Sequence, residues 1–267
     1  MSSFSTPAIV LRRIHFGDYD LIITFFSLSK GKISAIAKSA KKSTKRFAGV
    51  LELFSELNIV CGTGRKKGLP ILQEATLTHP FSNIRSSIVK TAYASYWAEL
   101  LNEWMEPGQQ QARLYQLLQY VLRELHIART SEAALSILFQ MRFMRIAGLV
   151  PNLRRCSVCG IEMEKMQNSR VRFNLVKGGI ACDRCVSGIS GKILFSKGTI
   201  KQLLWIERGD LNTAARIRFT SRALKEGLEF LEAFVPYHLG KEPRSLKFLR
   251  QIRPAMDTPG LVVAESR

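Results

Sequence analysis

Cys156-Ser-Val-Cys159 and Cys182-Asp-Arg-Cys185 are two Cys-x-x-Cys elements with 22 residues between them, and their reading decides the architecture. Two residues between cysteines let a tight turn aim both sulfurs at one ion. Two such elements in sequence can place four thiolates around a tetrahedral zinc. Gly160 follows the first pair and Gly188 lies just past the second, where a turn calls for positive φ. Within the insert, Val171-Arg-Phe-Asn-Leu-Val-Lys-Gly-Gly-Ile-Ala181 predicts two short strands around Gly178-Gly179, so that a hairpin links two knuckles. Two disulfides or unrelated thiols are the alternatives. No secretory signal precedes the chain, so a reducing cytoplasm is expected, which disfavours disulfides. No His, Asp or Glu nearby completes an open coordination sphere, so the zinc is expected to be structural. It would contribute on the order of 10–16 kcal/mol to a segment too small to fold on a core of its own.

Upstream of the cysteines the texture is that of strands. Ala8–Ile14, Leu21–Leu28, Lys32–Ala37, Phe54–Cys61 and Pro70–Leu77 are β-rich runs. They are separated by turn signals at Gly17-Asp18, Ser29-Lys30-Gly31 and Gly62-Thr-Gly64. Five strands in residues 1–80 suit a small barrel, and the OB-fold is the five-stranded barrel that commonly meets single-stranded nucleic acid. Cys61, the fifth cysteine, ends an apolar run and is expected to be a buried strand residue.

After Pro80 the apolar period changes to that of helices. Ala92, Tyr96, Leu100 and Trp104 mark one, and Leu114, Leu117, Leu118, Val121 and Leu125 a second. Pro107-Gly108 separates them, and Ser131-Glu132 starts a third, Ala133 to Ala147. That third helix is apolar on most faces and is expected at the centre of a bundle. Helices resume over 198–235, where Pro236 is expected to stop the last one, and a short helix over Ser245–Ile252 follows. Residues 256–267 read as a disordered tail. The expected fold class is thus α+β and multidomain. An N-terminal OB-fold barrel over 1–80 precedes an α-helical bundle formed by 81–150 with 198–255. A four-cysteine, zinc-ribbon-like module over 151–197 is inserted into that bundle.

The charge points to a partner. Forty Lys+Arg against 21 Asp+Glu leave a net +19, with +7 of it in residues 1–80 and +6 in 151–197. A polyanion accounts for that unevenness, and nucleic acid is the commonest one. No run reaches the roughly 18 apolar residues of a membrane span, and no basic amphipathic helix or lipidation motif supports a membrane surface. The run Lys38-Ser-Ala-Lys-Lys-Ser-Thr-Lys-Arg-Phe47 lies between two expected strands. Lys38, Lys41, Lys42, Lys45 and Arg46 can neutralise phosphates, and the hydroxyls add hydrogen bonds without reading sequence. Phe47 can stack on a base or fill the barrel core. Arg65, Lys66 and Lys67 form a second basic turn. Arg12-Arg13 is a third cluster, in which strand alternation would bury one residue or turn it sideways. The cysteine segment adds Arg154, Arg155, Arg170, Arg172 and Arg184.

Catalysis finds little support. His15, His79, His126 and His238 are scattered, and there is no Walker loop, G-x-S-x-G or cluster of Asp residues able to hold two magnesium ions. Asp18 and Asp20 read as turn residues beside Gly17. The expectation is a protein that is not an enzyme. A zinc-ribbon RNA-binding or transcription-associated factor would share the charge and the cysteines, and a metal-dependent nuclease or ligase-like enzyme would share the barrel.

Three stretches carry a resemblance to the bacterial recombination mediators of the RecO family. Gly17-Asp-Tyr-Asp20, followed by Ile23-Thr-Phe-Phe26 and Gly31-Lys-Ile-Ser-Ala-Ile-Ala-Lys38, is similar to that family's barrel opening. Gly148-Leu-Val-Pro-Asn-Leu-Arg-Arg-Cys-Ser-Val-Cys-Gly160 resembles its junction from helix to zinc module. Tyr237-His-Leu-Gly240 leading to Arg244-Ser245 resembles its C-terminal signature, with Arg244 where the family usually has Lys. Some members lack the four cysteines; all are present here. The resemblance implies a DNA repair protein, cytoplasmic and nucleoid-associated, that binds single- and double-stranded DNA and anneals complementary strands without ATP. It implies contact with the acidic C-terminal tail of single-strand-binding protein, and action with RecR to load RecA. Such a tail would need an apolar groove with a basic rim, expected on the helical bundle.

Overall fold

The computed structural model of the protein describes residues 3–62, 68–186, 193–214 and 216–253. Strands β1 (Ser3–Phe16), β2 (Asp20–Ser27), β3 (Gly31–Ala37), β4 (Glu56–Gly62) and β5 (Ile71–His79) form a closed barrel in the order β1-β2-β3-β5-β4. All pairs are antiparallel except β3 with β5. The expected five-stranded barrel is what forms. Its register follows from alternation: Leu21, Ile23 and Phe25 of β2 point inward to meet Ala35 and Ala37 of β3 and Leu57, Ile59 and Cys61 of β4. The small Ala8, Ala35 and Ala37 leave room for Phe25, so the interior is filled. Cys61 is fully buried, as expected, and burial pushes its thiol up to about 11.

A bulge between Val10 and Arg12 breaks the alternation of β1. It turns Leu11 toward the helices, where it joins their core, and it leaves neither arginine buried. Arg12 is exposed, and Arg13 reaches sideways to Glu52 at 2.6 Å.

Helices α1 (Ser82–Arg85), α2 (Ile88–Trp104), α3 (Ala112–Ile127) and α4 (Glu132–Ile146) follow. Ser87 and Ser131 cap α2 and α4 by accepting from the Lys90 and Ala134 amides. Helix α4 is central, as its apolar composition requires: an unbroken run from Ala134 to Met141 is buried. Its two polar members are satisfied internally, Gln140 by the Tyr96 hydroxyl and Ser136 by the Trp97 indole N–H.

The cysteine segment contributes β6 (Arg170–Asn174), β7 (Gly179–Ala181) and β8 (Leu194–Ser196), in the order β7-β6-β8. Strands β6 and β7 are the expected hairpin. The third strand was not foreseen, because three residues carry no readable period. Phe173 of β6 and Phe195 of β8 pack against Phe230 and Phe234, with centroid separations of 4.7 Å for Phe173–Phe230 and 5.0 Å for Phe195–Phe230.

Those two phenylalanines belong to α7 (Ser221–Leu239), which follows α5 (Lys197–Arg208) and α6 (Leu211–Ala214) and precedes α8 (Arg244–Ile252). The expectation that Pro236 ends the helix is corrected: α7 runs on to Leu239 and closes at Gly240, whose φ is 74°. Pro236 lacks the N–H that would bond the Glu232 carbonyl. Arg250 of α8 supplies the missing donor to that carbonyl at 2.9 Å. The buried Glu232 carboxylate accepts from Arg250 Nε at 3.2 Å and from Arg253 at 2.6 Å. A helix defect thus becomes the socket for α8, whose amino end is held by the Glu99 carboxylate accepting from the Arg244 and Ser245 amides.

Barrel and bundle meet through Ile9, Leu11, Phe26 and Phe54, which join the helices' core, and along a polar seam beside them. Gly31 has φ 63°, and a Cβ there would lie 1.9 Å from the Gln109 carbonyl oxygen. Lys32 Nζ donates to the Asn102 carbonyl at 2.6 Å and Gly108 N to the Lys32 carbonyl at 3.0 Å. Arg85 donates to the Leu53 and Pro80 carbonyls. Buried Tyr115 donates to Glu56 at 3.1 Å, and burial beside that carboxylate raises the phenol well above its usual range.

Candidate functional site

The two knuckles come together as their spacing requires. Cys156, Cys159, Cys182 and Cys185 bring their sulfurs within 4.8 Å of one another, and all four are free thiols. Cys159 and Cys182 stand 3.6 Å apart. A tetrahedron of sulfurs around an ion at about 2.3 Å has edges of roughly 3.8 Å, so the set fits a single metal ion. The first turn is shaped by Gly160, at φ 75°, whose amide returns to the Cys156 carbonyl at 3.0 Å. The Cys182 amide donates to Cys156 Sγ at 3.4 Å. Burial alone would raise the Cys156 thiol, but the amides of Cys159, Cys182 and Val158 outweigh it and bring it down to about 6. Side-chain hydrogen bonds with Cys159 and Cys182 push Cys185 up to about 12. Among the described residues these four form the one group of three or more His, Cys, Asp or Glu placed to hold a metal. Gly188 lies outside the described residues.

The basic run connects β3 to β4 and is fastened to the β1–β2 turn. Lys41 N donates to the Tyr19 carbonyl at 3.0 Å, and Lys41 Nζ donates to the Gly17 and Asp18 carbonyls at 3.1 and 3.2 Å. Ser39 N donates to Asp20 Oδ1 at 2.7 Å, so Asp20 pins the loop. Arg46 donates to the Lys38 carbonyl at 2.8 Å. Lys38, Lys41, Lys42, Lys45 and Arg46 are all exposed, and none has a carboxylate partner among the described residues. Phe47 takes the core role of the two open to it: it is 4% exposed inside the barrel, with the Arg46 guanidinium over its ring. Arg65, Lys66 and Lys67 lie outside the described residues.

The sequence reading missed the aromatic tip. Tyr19 is exposed, and Lys42 Nζ sits 3.5 Å from its ring centroid. The signal was present, since an aromatic between Asp18 and Asp20 at a turn has no core to fill. The second missed residue, Phe16, closes β1 beyond the length of barrel that can bury it.

A closed five-stranded barrel with a fastened, unpaired cationic loop, joined to a bundle that carries a four-thiol centre, is the architecture of a nucleic-acid-binding protein. Comparison with known proteins narrows that class. Residues 1–81 match the family described as recombination protein O, N terminal, and residues 85–247 the one described as recombination protein O, C terminal. A DNA repair protein RecO from Desulfatibacillum aliphaticivorans is 44% identical over 254 residues, covering 95% of this chain and 98% of that protein. One from Desulfosudis oleivorans is 45% identical over 258 residues, covering 95% and 99%. One from Anaeromyxobacter dehalogenans is 32% identical over 256 residues, covering 96% and 99%. The chain belongs to the RecO family of DNA repair and recombination proteins. No helix among the described residues is long and apolar enough to cross a membrane.

Proposed function

We propose that this protein is a nucleoid-associated recombination mediator without a catalytic centre. It binds single- and double-stranded DNA, anneals complementary strands without ATP and helps RecR load RecA onto strands coated by single-strand-binding protein. The observation that carries this reading is the basic run on the barrel: five exposed cations with no carboxylate partner among the described residues, tied down by backbone hydrogen bonds. Two strands repel through about one charge per nucleotide each, and a cationic surface of fixed shape screens that repulsion with no fuel. The four cysteines are assigned to zinc, since an all-thiolate set at tetrahedral spacing suits that ion and leaves no position for a substrate. The acidic tail of single-strand-binding protein is assigned to a cavity of about 690 Å³ on the bundle. There Arg129, Arg216 and Arg218 surround Ile217, Phe219 and Leu224, against one carboxylate, Glu124.

Annealing of two complementary labelled oligonucleotides, without ATP and with or without single-strand-binding protein, tests this reading. Rapid annealing that persists on coated strands is expected. No acceleration, together with tight RNA binding, would favour the zinc-ribbon RNA factor instead. Replacing Lys41, Lys42, Lys45 and Arg46 together is expected to flatten the salt dependence of single-strand binding by about 0.7 per lost phosphate contact. An unchanged slope would remove this loop from the DNA path.

A further inference from the structure

Register on the outer wall of the barrel aligns four isoleucines. Ile14 of β1 pairs with Ile22 of β2, Ile22 with Ile36 of β3, and Ile36 with Ile71 of β5. Their neighbours Leu21, Ile23, Ala35 and Ala37 fill the barrel, so alternation sends this row outward. Ile14 is 38% exposed and Ile71 36%, and Ile22 and Ile36 are half-buried. The strip ends at the β1–β2 turn in Phe16, 49% exposed, and Tyr19, 46% exposed.

The borders of this strip are cationic and hydroxylic. Arg12, two residues before Ile14, is exposed on the same outer side, and Lys38, just past the end of β3, is exposed as well. Thr24 and Ser34, paired across β2 and β3, share a hydrogen bond of 3.0 Å on one flank. Lys41 and Lys42 lie over the aromatic end. Of the two carboxylates at the β1–β2 turn, Asp20 is engaged by the Ser39 amide and Asp18 is exposed, while Arg12 at the far end of the strip shares a cavity with Glu99 and Glu103. An apolar, partly aromatic floor between cationic edges complements a chain with flat apolar faces and regularly spaced negative charges.

We infer that this outer strip is a base-stacking floor for single-stranded DNA, with Phe16 and Tyr19 as its stacking residues and Arg12, Lys38, Lys41 and Lys42 as its phosphate rim. The inference rests on the DNA-binding reading above and adds to it a contact with the bases. Lys42 covers one face of Tyr19 in the free protein, so a base takes the other face or displaces the ammonium to a phosphate.

The test compares an end-labelled oligothymidylate with an abasic oligomer of equal length, each titrated with the full-length protein at several salt concentrations. The wild type is expected to bind the thymidylate about ten-fold or more tightly than the abasic strand. Phe16→Ala combined with Tyr19→Ala is expected to erase that preference and leave the salt slope intact, because no ionic contact is lost. Both side chains are exposed, so the fold should survive. Tyr19→Trp supplies a second readout: its fluorescence should be quenched by the thymidylate and not by the abasic strand. Equal wild-type binding to the two oligomers, or a preference that survives the double substitution, overturns the inference and leaves the cationic loop standing. Binding to neither oligomer fails the DNA reading itself, and the strip with it.

Discussion

The barrel and the cysteine segment are of similar weight in the charge balance, yet they are held in opposite ways. The barrel encloses a core of its own, from Ala8 to Leu72, separate from that of the helices. Among the described residues the cysteine segment has none: Val171, Phe173, Ile180 and Phe195 belong to the same continuous core as α2, α4 and α7. A segment read as stapled by metal alone is therefore rooted in the bundle by phenylalanines, and its four clustered cysteines offer a second fastening when a metal is bound. The difference teaches that metal loss and fold loss need not coincide here. An ion held by the four cysteines would order the knuckles, while the bundle orders the sheet.

The largest effect expected on that comparison comes from Cys156→Ser. Structural zinc contributes on the order of 10–16 kcal/mol in small fingers, and the variant should lose its bound zinc by metal analysis. Amide exchange should then quicken around both knuckles while β6 stays protected through Phe173. Full zinc content with normal stability would overturn the four-cysteine assignment, and collapse of β6 would show that the phenylalanines do not suffice. Next in size is Phe173→Ala, which removes a ring in contact with Phe195, Phe230 and Phe234. A loss of about 3–5 kcal/mol is expected in denaturant unfolding, with exchange of the barrel amides unchanged. Equal weakening of the barrel would mean that the two cores unfold together.

The smallest effect concerns the join between β8 and α7. Glu226 is buried and accepts from the Ser196 amide at 2.8 Å and from the Thr199 hydroxyl. Burial opposes its ionisation, but these donors and Arg170 outweigh it and hold the carboxyl below its usual range. A lowered folded-state pKa stabilises the fold above the ordinary carboxyl pKa of about 4.3 and ceases to do so as pH falls through the folded value. Glu226→Gln should therefore cost about 1–3 kcal/mol near neutrality, with the gap from wild type closing on acidification. A gap independent of pH would assign the loss to packing.

The parts legible in the sequence were those with a period or a fixed spacing. Five alternating runs gave the barrel, Ala133–Ala147 gave the central helix, and Cys-x-x-Cys spacing gave the four-thiol cluster. What stayed hidden depends on partners distant in the chain. Strand β8 exists because β6 offers it an edge, α7 passes Pro236 because Arg250 arrives from another helix, and Phe47 turns inward because the barrel has room for it. The outer isoleucines were each visible as strand residues, but only register shows that they form one line.

Strand β3 carries Gly31 at one end, fitted against the Gln109 carbonyl with no space for a methyl, and Ile36 near the other, on the outer wall. One short rod thus spans from the barrel's mooring to its outer wall. A pull on a strand lying across that wall would be passed lengthwise into the helices instead of being absorbed by a pivot. On the DNA reading proposed above, such a molecule would act as a handle: whatever grasps the bundle would also set the heading of a strand bound to the barrel.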